Sequence, residues 1–434
     1  METYGKILLI AMPVFLFLVL LEKWYGIFKG KDTVRNMDMI SSLSSGVTNV
    51  VKDVLGLSVI IIGYPWLLKK LAIIHVENSL LTYIIAFFAL DFAGYWIHRI
   101  QHEYNLFWNN HIIHHSSEEY NLACALRQSI SEIVKLFAVF LLPAALLGVP
   151  TMVIAIVAPL QLFAQFWYHT QHIHKMGFFE KIIVTPSHHR VHHAINPEYL
   201  DKNYSQIFII WDKLFGTFQA ELPEIKPVYG ITRPVQTWNP IKINFLHIWL
   251  LCKDAWCTKS WKDKLRIWMM PTGWRPADVV EKYPVHKIND VFHFEKYNPK
   301  SSRALEVWSY LQLLILLLFI SYLFANISLI NNLNSNYIYG YGAFIFLMVY
   351  ANTDLMDRNR SAIISEVMKN GLGLYFLYSQ NDWFGASQYF AGIKIIVAVY
   401  FILSTIVSAW FVLKHAQEDK PISQNNETVF NFSS

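Results

Sequence analysis

The sequence predicts an all-α, multi-pass membrane protein with about eight or nine transmembrane helices and a histidine-rich di-metal site on its cytoplasmic face. Three observations lead to this fold class. Of the 434 residues, 54% are hydrophobic and 15% are charged, whereas soluble domains carry about 25% charged residues. The apolar residues lie in runs long enough to cross a bilayer, which takes about 20 residues per helix. Twelve of the 17 histidines fall between positions 98 and 193.

Eight apolar runs are expected to span the membrane, and Ser361–Tyr378 is a weaker ninth candidate because it contains Glu366 and Lys369. The fourth and fifth runs are separated only by a Gly-Val-Pro turn at residues 148–150, which predicts a tight helical hairpin. The eight runs are Lys6–Leu21, Val47–Leu68, Leu80–Ile97, Ile133–Val149, Met152–Tyr168, Leu305–Ile327, Tyr337–Tyr350 and Ala391–Leu413.

Lysine and arginine in short loops set the expected orientation of such helices. The loop after the first run should be cytoplasmic, because it holds four basic residues, Lys23, Lys29, Lys31 and Arg35. By alternation, the runs that lead into His98 and His169 then emerge on the same side. The membrane is an inner membrane in a bacterium or the endoplasmic reticulum in a eukaryote. The three cysteines form no CxxC pair, which fits a reducing compartment or the membrane itself.

The chain divides into four expected regions. Residues 1–79 hold N-terminal transmembrane helices, 80–220 the catalytic core, 221–304 a cytoplasmic or interfacial region, and 305–434 C-terminal transmembrane helices with a polar tail. Within the third region, Ile241–Met270 mixes tryptophan with lysine, which is typical of an amphipathic helix in the membrane interface. A helix on the soluble side that caps the site is an equal alternative. The tail from about Glu418 is expected to be disordered.

Three clusters of histidine indicate a metal centre. Spacings of three and four residues put their rings one helical turn apart on a single face. A lone histidine at a membrane interface is more often a hydrogen-bonded surface residue than a metal ligand. Eight histidines in three clusters reverse this expectation, because unpaired polar groups near a bilayer are costly and a metal centre would pair them. One metal ion accepts at most about four to six imidazoles, so eight ligands imply two ions. The clusters are His98 and His102; His111, His114 and His115; and His189, His192 and His193.

The residue types favour iron without excluding other metals. Imidazole suits zinc, copper and iron alike. The zinc-protease motif HExxH fails, because Leu106 stands where the second histidine belongs after His102 and Glu103. A bis-histidine haem site needs facing pairs deep within helices, whereas these clusters lie at helix ends. Two irons with positions open to O₂ fit best. A metal-transporting membrane protein is the alternative from another class, and its ligands would be spread through the bilayer.

Other polar residues near the clusters are further candidates. His169, at the end of the fifth run, is expected to be a ninth ligand, and His172 and His174 are weaker candidates. Asp91 precedes His98 by seven residues and so lies on the same helical face. We expect its carboxylate to accept a hydrogen bond from an imidazole. The alternative is a hydrogen bond to a neighbouring helix.

The sequence does not assign a single role to two glutamines and one further histidine near the clusters. Gln161 and Gln165 lie one helical turn apart, and they either line a substrate channel or pair across the hairpin. His188 precedes the third cluster and is expected beside the ligands. Five histidines outside the clusters are expected to be ordinary residues: His75, His247, His286, His293 and His415.

The order of the three clusters, with a hairpin before the third, resembles the fatty acid hydroxylase/sterol desaturase superfamily over residues 84–218. The sequence is most similar to the alkylglycerol monooxygenase-like branch of that superfamily. Five strings carry this similarity: His98-Arg-Ile-Gln-His102-Glu103, His114-His-Ser-Ser-Glu-Glu-Tyr-Asn-Leu122, Ala125-Leu-Arg-Gln-Ser129, Gln165-Phe-Trp-Tyr-His-Thr170 and Pro186-Ser-His-His-Arg-Val-His-His193.

This resemblance implies a non-haem di-iron monooxygenase that hydroxylates the carbon next to the ether oxygen of a glyceryl ether. It implies that the eight cluster histidines are iron ligands and that Glu103, beside the first cluster, belongs to the site. With Asp91, this gives two candidate catalytic carboxylates. A lipid, sterol or carotenoid hydroxylase or a desaturase with the same centre is the alternative.

The implied partners are a bilayer lipid, O₂ and an electron donor. The animal enzymes of the resembling branch take electrons from tetrahydrobiopterin, and a partner protein is the other source. The sequence has no GxGxxG dinucleotide fingerprint and no haem-binding module, so the electrons must come from outside the chain. Nucleic acid is not expected, because the net charge of +5 is dispersed rather than gathered in a basic patch.

Overall fold

The computed structural model describes residues 2–135 and 137–418, and these ranges are mostly α-helical. The all-α fold class is thereby confirmed. Within the described ranges, strand pairing amounts to two short parallel strands, β1 (Val59–Ile60) and β2 (Val134–Lys135), and three isolated bridges. The predicted polar tail lies outside the described residues from position 419 onward.

Ten helices precede residue 220 in the described part of the chain, and three short turns of 3₁₀-helix lie among them. The ten helices are α1 (Glu2–Phe28), α2 (Asn36–Val54), α3 (Tyr64–Leu71), α4 (Leu80–Glu103), α5 (Asn105–Trp108), α6 (Ile112–His115), α7 (Leu142–Leu146), α8 (Thr151–Ala164), α9 (Pro186–His192) and α10 (Ile210–Phe215).

Eight helices follow in the second part of the chain, up to residue 418. They are α11 (Pro240–Cys257), α12 (Trp261–Arg266), α13 (Ala277–Lys282), α14 (Arg303–Ala325), α15 (Ile327–Leu333), α16 (Tyr337–Met356), α17 (Ala362–Gln380) and α18 (Ile393–Glu418).

Four of these helices, α1, α4, α14 and α18, are long and apolar enough to cross a membrane. They coincide with the first, third, sixth and eighth predicted runs. The runs predicted at Tyr337 and Ser361 are also helices, α16 and α17, but they do not belong to that set of four. The chain is therefore an integral membrane protein, and these four helices do not confirm the predicted total of eight or nine spans.

The predicted span Val47–Leu68 is wrong. Helix α2 begins earlier, at Asn36, and ends at Val54. Gly56 follows with a φ of +65°, a left-handed conformation that commonly ends a helix. The chain then forms β1 before a new helix starts with Pro65 in its first turn. The apolar run joined parts of three elements, because hydropathy alone does not detect the glycine that separates them.

The first arm of the predicted hairpin, Ile133–Val149, is also wrong as a continuous helix. Its start forms β2, and the rest is a 3₁₀ turn followed by the five-residue helix α7. The second arm is α8, which has 14 residues and is shorter than the roughly 20 residues that a bilayer requires. The tight turn itself is present. Gly148 has a φ of +70° there and lies so close to Ile74 that a Cβ would meet the Ile74 carbonyl oxygen at 1.9 Å.

Two apolar cores hold the helices together. The larger lies among α1, α2, α14, α16, α17 and α18 and contains fully buried aromatic rings, among them Phe324, Tyr341, Phe344 and Phe401. The smaller lies among α3, α4, α7 and α8. Helix α6 contacts α11 and the 3₁₀ turn at residues 124–126, and that turn contacts α2. The second histidine cluster is thus supported from both sides.

The amphipathic segment predicted at Ile241–Met270 is two helices, α11 and α12, and a 3₁₀ turn. One face of α11 is buried and includes His247 and Leu251. The opposite face exposes Trp249 and Trp256, which are 71% and 85% accessible. The helix therefore covers the interior of the protein with one side, while its position in a membrane interface stays a prediction.

Candidate metal centre

Nine histidines converge where α4 ends. Helix α4 carries the first cluster, α6 and the residue before it carry the second, and α9 and its C-cap carry the third. The rings form two groups, and within each group the ligand atoms lie within 4.8 Å of one another. Group I is His98, His102, His111, His115 and His192, and group II is His114, His169, His189 and His193.

The HxxHH spacing explains why there are two groups rather than one. In the second cluster, His111 and His115 are one helical turn apart and both enter group I, whereas His114 enters group II. Adjacent residues on a helix point about 100° apart, so each His-His doublet must serve two sites. The third cluster repeats this arrangement with the groups exchanged, because His189 and His193 enter group II and His192 enters group I.

Unprotonated ring nitrogens of group II face one another, an arrangement that a bound cation would stabilise. His114 Nδ1 lies 3.3 Å from the Arg127 carbonyl oxygen, and His169 Nδ1 lies 3.0 Å from that of Gln165. A carbonyl only accepts, so each Nδ1 carries the proton and each Nε2 of the neutral ring is a bare lone pair. These two Nε2 atoms face each other at 3.4 Å. Two lone pairs repel unless a positive ion lies between them, so the donor set fits a metal ion.

Group I has the same arrangement. His98 Nδ1 donates to the Tyr204 carbonyl at 2.7 Å, and His192 Nδ1 donates to the Lys202 carbonyl at 3.0 Å. The inward Nε2 of His192 is buried and has no hydrogen-bond partner, although buried polar atoms are normally paired. A second ion would satisfy it.

Burial keeps the rings in the neutral form that binds metals. Seven of the nine are buried, and His111 and His114 are half-buried. Desolvation lowers the pKa of His169 to about 3. It also lowers the pKa of His114, His189 and His193 well below the usual value, and the neighbouring imidazoles add to that effect.

A buried carboxylate fixes the carbonyl that orients His98. Asp212 accepts the backbone N–H groups of Tyr204 at 2.8 Å and Ser205 at 2.9 Å. It also accepts the Thr217 hydroxyl at 2.7 Å. These bonds hold the Tyr204 carbonyl in place, and that carbonyl accepts the hydrogen bond from His98 Nδ1.

A buried ion pair does the same for His114. The Arg127 guanidinium donates to Asp38 at 2.7 Å, and both side chains are almost fully buried. Arg127 also donates to the hydroxyls of Ser42 and Ser116 at 2.9 and 2.8 Å. Helix α2 is thus tied to the residue whose carbonyl accepts the His114 ring proton.

The role predicted for Asp91 is wrong. Its carboxylate accepts the backbone N–H groups of Ile207 at 2.8 Å and Phe208 at 3.1 Å, and the indole N–H of Trp211 at 2.8 Å. Although Asp91 lies on the helical face of His98, the incoming loop meets it before any imidazole does. It therefore anchors residues 207–211 to α4. Only the bond from Trp211, on α10, matches the alternative of a hydrogen bond to a neighbouring helix.

Glu103 lies outside both groups. It pairs with Arg99 at 2.7 Å along the surface of α4, and its hydrogen bonds within the described structure include none to a histidine. His188 is also outside the groups: its Nδ1 accepts the backbone N–H of Thr185 and caps α9.

The two weaker ligand candidates lie away from the centre. His172 Nε2 is 3.4 Å from the Thr33 hydroxyl, between α1 and the loop that follows α8, and His174 is exposed. By contrast, His169, three residues before His172, lies in group II, and its Nε2 is 2.9 Å from the Nε2 of His189.

A cavity of about 260 Å³ adjoins the centre and is floored by His102, His115, His192 and His193. Its lining also includes the apolar side chains of Leu246 and Leu250 on α11 and the cations Arg233 and Lys287. We call it the polar cavity. A molecule with both an apolar and a polar part fits such a lining.

Residues 83–217 match the family model described as fatty acid hydroxylase. The human alkylglycerol monooxygenase is 35% identical over 367 residues, which cover 83% of this chain and 80% of the human protein. The chain belongs to the alkylglycerol monooxygenase family. Alkylglycerol monooxygenases of Xenopus tropicalis and Danio rerio are 37% and 38% identical over 70% and 62% of this chain and 67% and 59% of their own lengths. No solved structure matches the chain.

Membership of the alkylglycerol monooxygenase family confirms the resemblance inferred from the histidine clusters. It also makes the chain an oxygenase that acts on a lipid, and the histidine groups could hold its metal. The matched residues 83–217 contain all nine histidines of the two groups.

The reasoning from sequence missed Asp38, Arg127 and Asp212 as supports of the centre. A signal was present for two of them, since Arg127 lies in the Ala-Leu-Arg-Gln-Ser string and Asp212 follows Trp211 in the segment that closes the family match. For Asp38 the signal was weaker: an acid in a stretch rich in serine, which hydropathy excluded from any span.

Proposed function

We propose that the chain is a membrane-bound, non-haem di-iron monooxygenase that hydroxylates the carbon next to the ether oxygen of glyceryl ethers. The observation that carries the proposal is the division of nine converging imidazoles into two adjoining groups of five and four. Within the described residues, both groups consist of histidine alone. The names of the relatives support an alkylglycerol as the substrate.

The number and type of ligands support two irons. One iron accepts at most about six ligands, so the nine imidazoles would be shared between two ions, and each ion would keep a position open to O₂. Group II would hold one iron through four rings, and group I would hold the other through five. When bound, the irons supply the redox chemistry that activates O₂.

The protein's own residues would orient the ligands and place the substrate. Four histidine rings donate a hydrogen bond from Nδ1 to a backbone carbonyl, and this keeps their Nε2 atoms directed inward. The accepting carbonyls belong to Tyr204, Lys202, Arg127 and Gln165. The polar cavity would take the glycerol part of the substrate beside group I. Arg233 and Lys287 in its wall offer hydrogen-bond donors to glycerol oxygens.

The reaction requires a donor outside the chain. One oxygen atom of O₂ is inserted into the C–H bond, and the other leaves as water after two electrons and two protons arrive. The hemiacetal product then breaks down to an aldehyde and a glycerol derivative. We propose tetrahydrobiopterin or an electron-transfer partner as the donor, and a catalytic core at residues 80–220 facing the cytoplasm.

Mass spectrometry of lipids tests the proposal. The purified protein is mixed with a glyceryl ether, a reductant and ¹⁸O₂. We expect loss of the ether and formation of a fatty aldehyde and glycerol, with one ¹⁸O in the freshly trapped aldehyde. A panel of fatty acyl lipids, sterols and carotenoids is run in parallel. A desaturated or ring-hydroxylated product, with the ether left intact, would contradict the assignment.

A further inference from the structure

A second cavity lies between α4 and α8 and differs in character from the polar cavity. It measures about 450 Å³ and is lined mainly by apolar side chains, among them Tyr64, Leu90, Ala93, Ile97, Leu141 and Leu162. Leu162 on its rim is 64% exposed. Lys135, the one charged residue in this lining, pairs with Asp53 at 3.6 Å. We call this cavity the apolar groove.

Two of the residues that line the apolar groove are glutamines whose amides hydrogen-bond to each other. Gln165 Nε2 donates to Gln206 Oε1 at 3.3 Å, and both residues line the groove. Gln206 lies against Gly94, where a Cβ would meet its Oε1 at 2.1 Å. A glycine is therefore required for the amide to fit beside α4. The Gln165 backbone carbonyl also accepts a hydrogen bond from the His169 ring, so this amide pair adjoins group II.

The groove, the metal ligands and the polar cavity follow one another along α4. Leu90, Gly94, His98 and His102 are spaced by four and form one stripe on the helix, about 18 Å long at 1.5 Å per residue. Leu90 and Gly94 line the groove, His98 and His102 belong to group I, and His102 also floors the polar cavity. The two cavities thus approach the centre from opposite ends of this stripe.

We propose that the apolar groove binds the alkyl chain of the substrate and that the Gln165–Gln206 pair is the closure that this chain displaces. The inference rests on the proposed function. In a glyceryl ether, the carbon beside the ether oxygen is the point where the alkyl chain meets the polar glycerol. With the chain in the groove and the glycerol in the polar cavity, that carbon lies beside the histidines.

The groove lies where an alkyl chain could enter it from the membrane. Helix α4 is long and apolar enough to cross a membrane, and exposed apolar residues such as Ile60 and Leu162 form the rim. An alkyl chain that moves from the bilayer into the groove keeps an apolar environment throughout.

Photochemical labelling tests the site without relying on turnover. The full chain in lipid nanodiscs is incubated anaerobically with a glyceryl ether that carries a diazirine at the end of its alkyl chain, and labelled peptides are mapped. We expect label on Leu90, Leu141 or Leu162. Label on the α11 residues Leu246 and Leu250 of the polar cavity, or on neither cavity, overturns the proposal. If the groove is labelled but the same protein makes no product from a glyceryl ether once O₂ and a reductant are added, the proposed reaction is contradicted and the groove is not.

A pair of alanines on α8 provides a matched test by kinetics. Ala158 lines the groove, whereas Ala155 on the same helix is exposed and does not. We expect Ala158→Phe to lower kcat/KM for a long-chain ether by roughly tenfold or more, the scale of a misfit in an apolar pocket, while a short-chain ether is little affected. Ala155→Phe should behave as the wild type, and iron content should be unchanged in both. An unaltered chain-length preference in Ala158→Phe would refute the groove.

Discussion

Replacing Asp38 by asparagine tests how the protein supports its metal centre from a distance. The Asp38 carboxylate accepts the Arg127 guanidinium at 2.7 Å and the Ser117 hydroxyl at 2.9 Å, all in the interior. Asp38→Asn leaves the buried guanidinium without a counter-charge. Breaking a buried ion pair from one side typically costs about 3–5 kcal/mol of stability, and we expect a loss in that range.

The same substitution should weaken metal binding in group II. The Arg127 carbonyl accepts a hydrogen bond from the His114 ring, and the Arg127 guanidinium is paired with Asp38. Loss of a group that orients a ligand commonly lowers metal affinity by about 10–100-fold. We therefore expect Asp38→Asn to lose iron from group II during purification and to retain it in group I.

Asp263→Asn is the matched control, because Asp263 pairs with Arg266 at the same 2.7 Å distance but on the surface. Exposed pairs contribute about 0–1 kcal/mol. The assays are thermal unfolding followed by tryptophan fluorescence in detergent and iron per chain by mass spectrometry. If Asp38→Asn matched Asp263→Asn in both, the proposed support of His114 would be refuted.

Three further predictions follow from the site. His169→Ala should lose about half of the bound iron, whereas His172→Ala should keep it all, as measured by metal analysis; equal losses would contradict the placement of His169 in group II. Asp91→Asn should lower stability by about 1–3 kcal/mol, because it weakens bonds to residues 207–211; loss of iron without loss of stability would instead restore the role first predicted. The metal-free protein should be stable above about pH 6.5 and lose stability as the pH falls toward 3, since the folded-state pKa of His169 is about 3 and the unfolded chain binds its proton first; a denaturation midpoint independent of pH over that range would contradict this.

The site was more predictable from the sequence than the fold. The structure brings together all nine histidines that were predicted as ligands. Eight of them lie in local clusters whose spacing of three and four residues puts the rings on usable helical faces, and His169 was predicted from its place at the end of the fifth apolar run. Two metal ions were predicted from the number of ligands alone. The structure adds that the doublets His114–His115 and His192–His193 each contribute one ring to each group.

Long-range contacts account for what could not be predicted. Asp91 stands at the correct helical position for a role beside His98, but a loop more than 100 residues later reaches its carboxylate first. Nothing within the first 100 residues signals that loop. The span predicted at Val47–Leu68 failed for a related reason: β1 pairs with β2 about 75 residues away, and this pairing draws apolar residues out of helix.

The central claim is that each histidine group holds one iron, and metal analysis of one substitution tests it most directly. Wild-type protein purified from iron-replete cells should contain about two tightly held irons per chain. His114→Ala, which alters group II alone, should retain about one, and Mössbauer spectra should change from a coupled pair to an isolated ion. A wild type that holds one metal or none, or a His114→Ala protein that still holds two, would contradict the account.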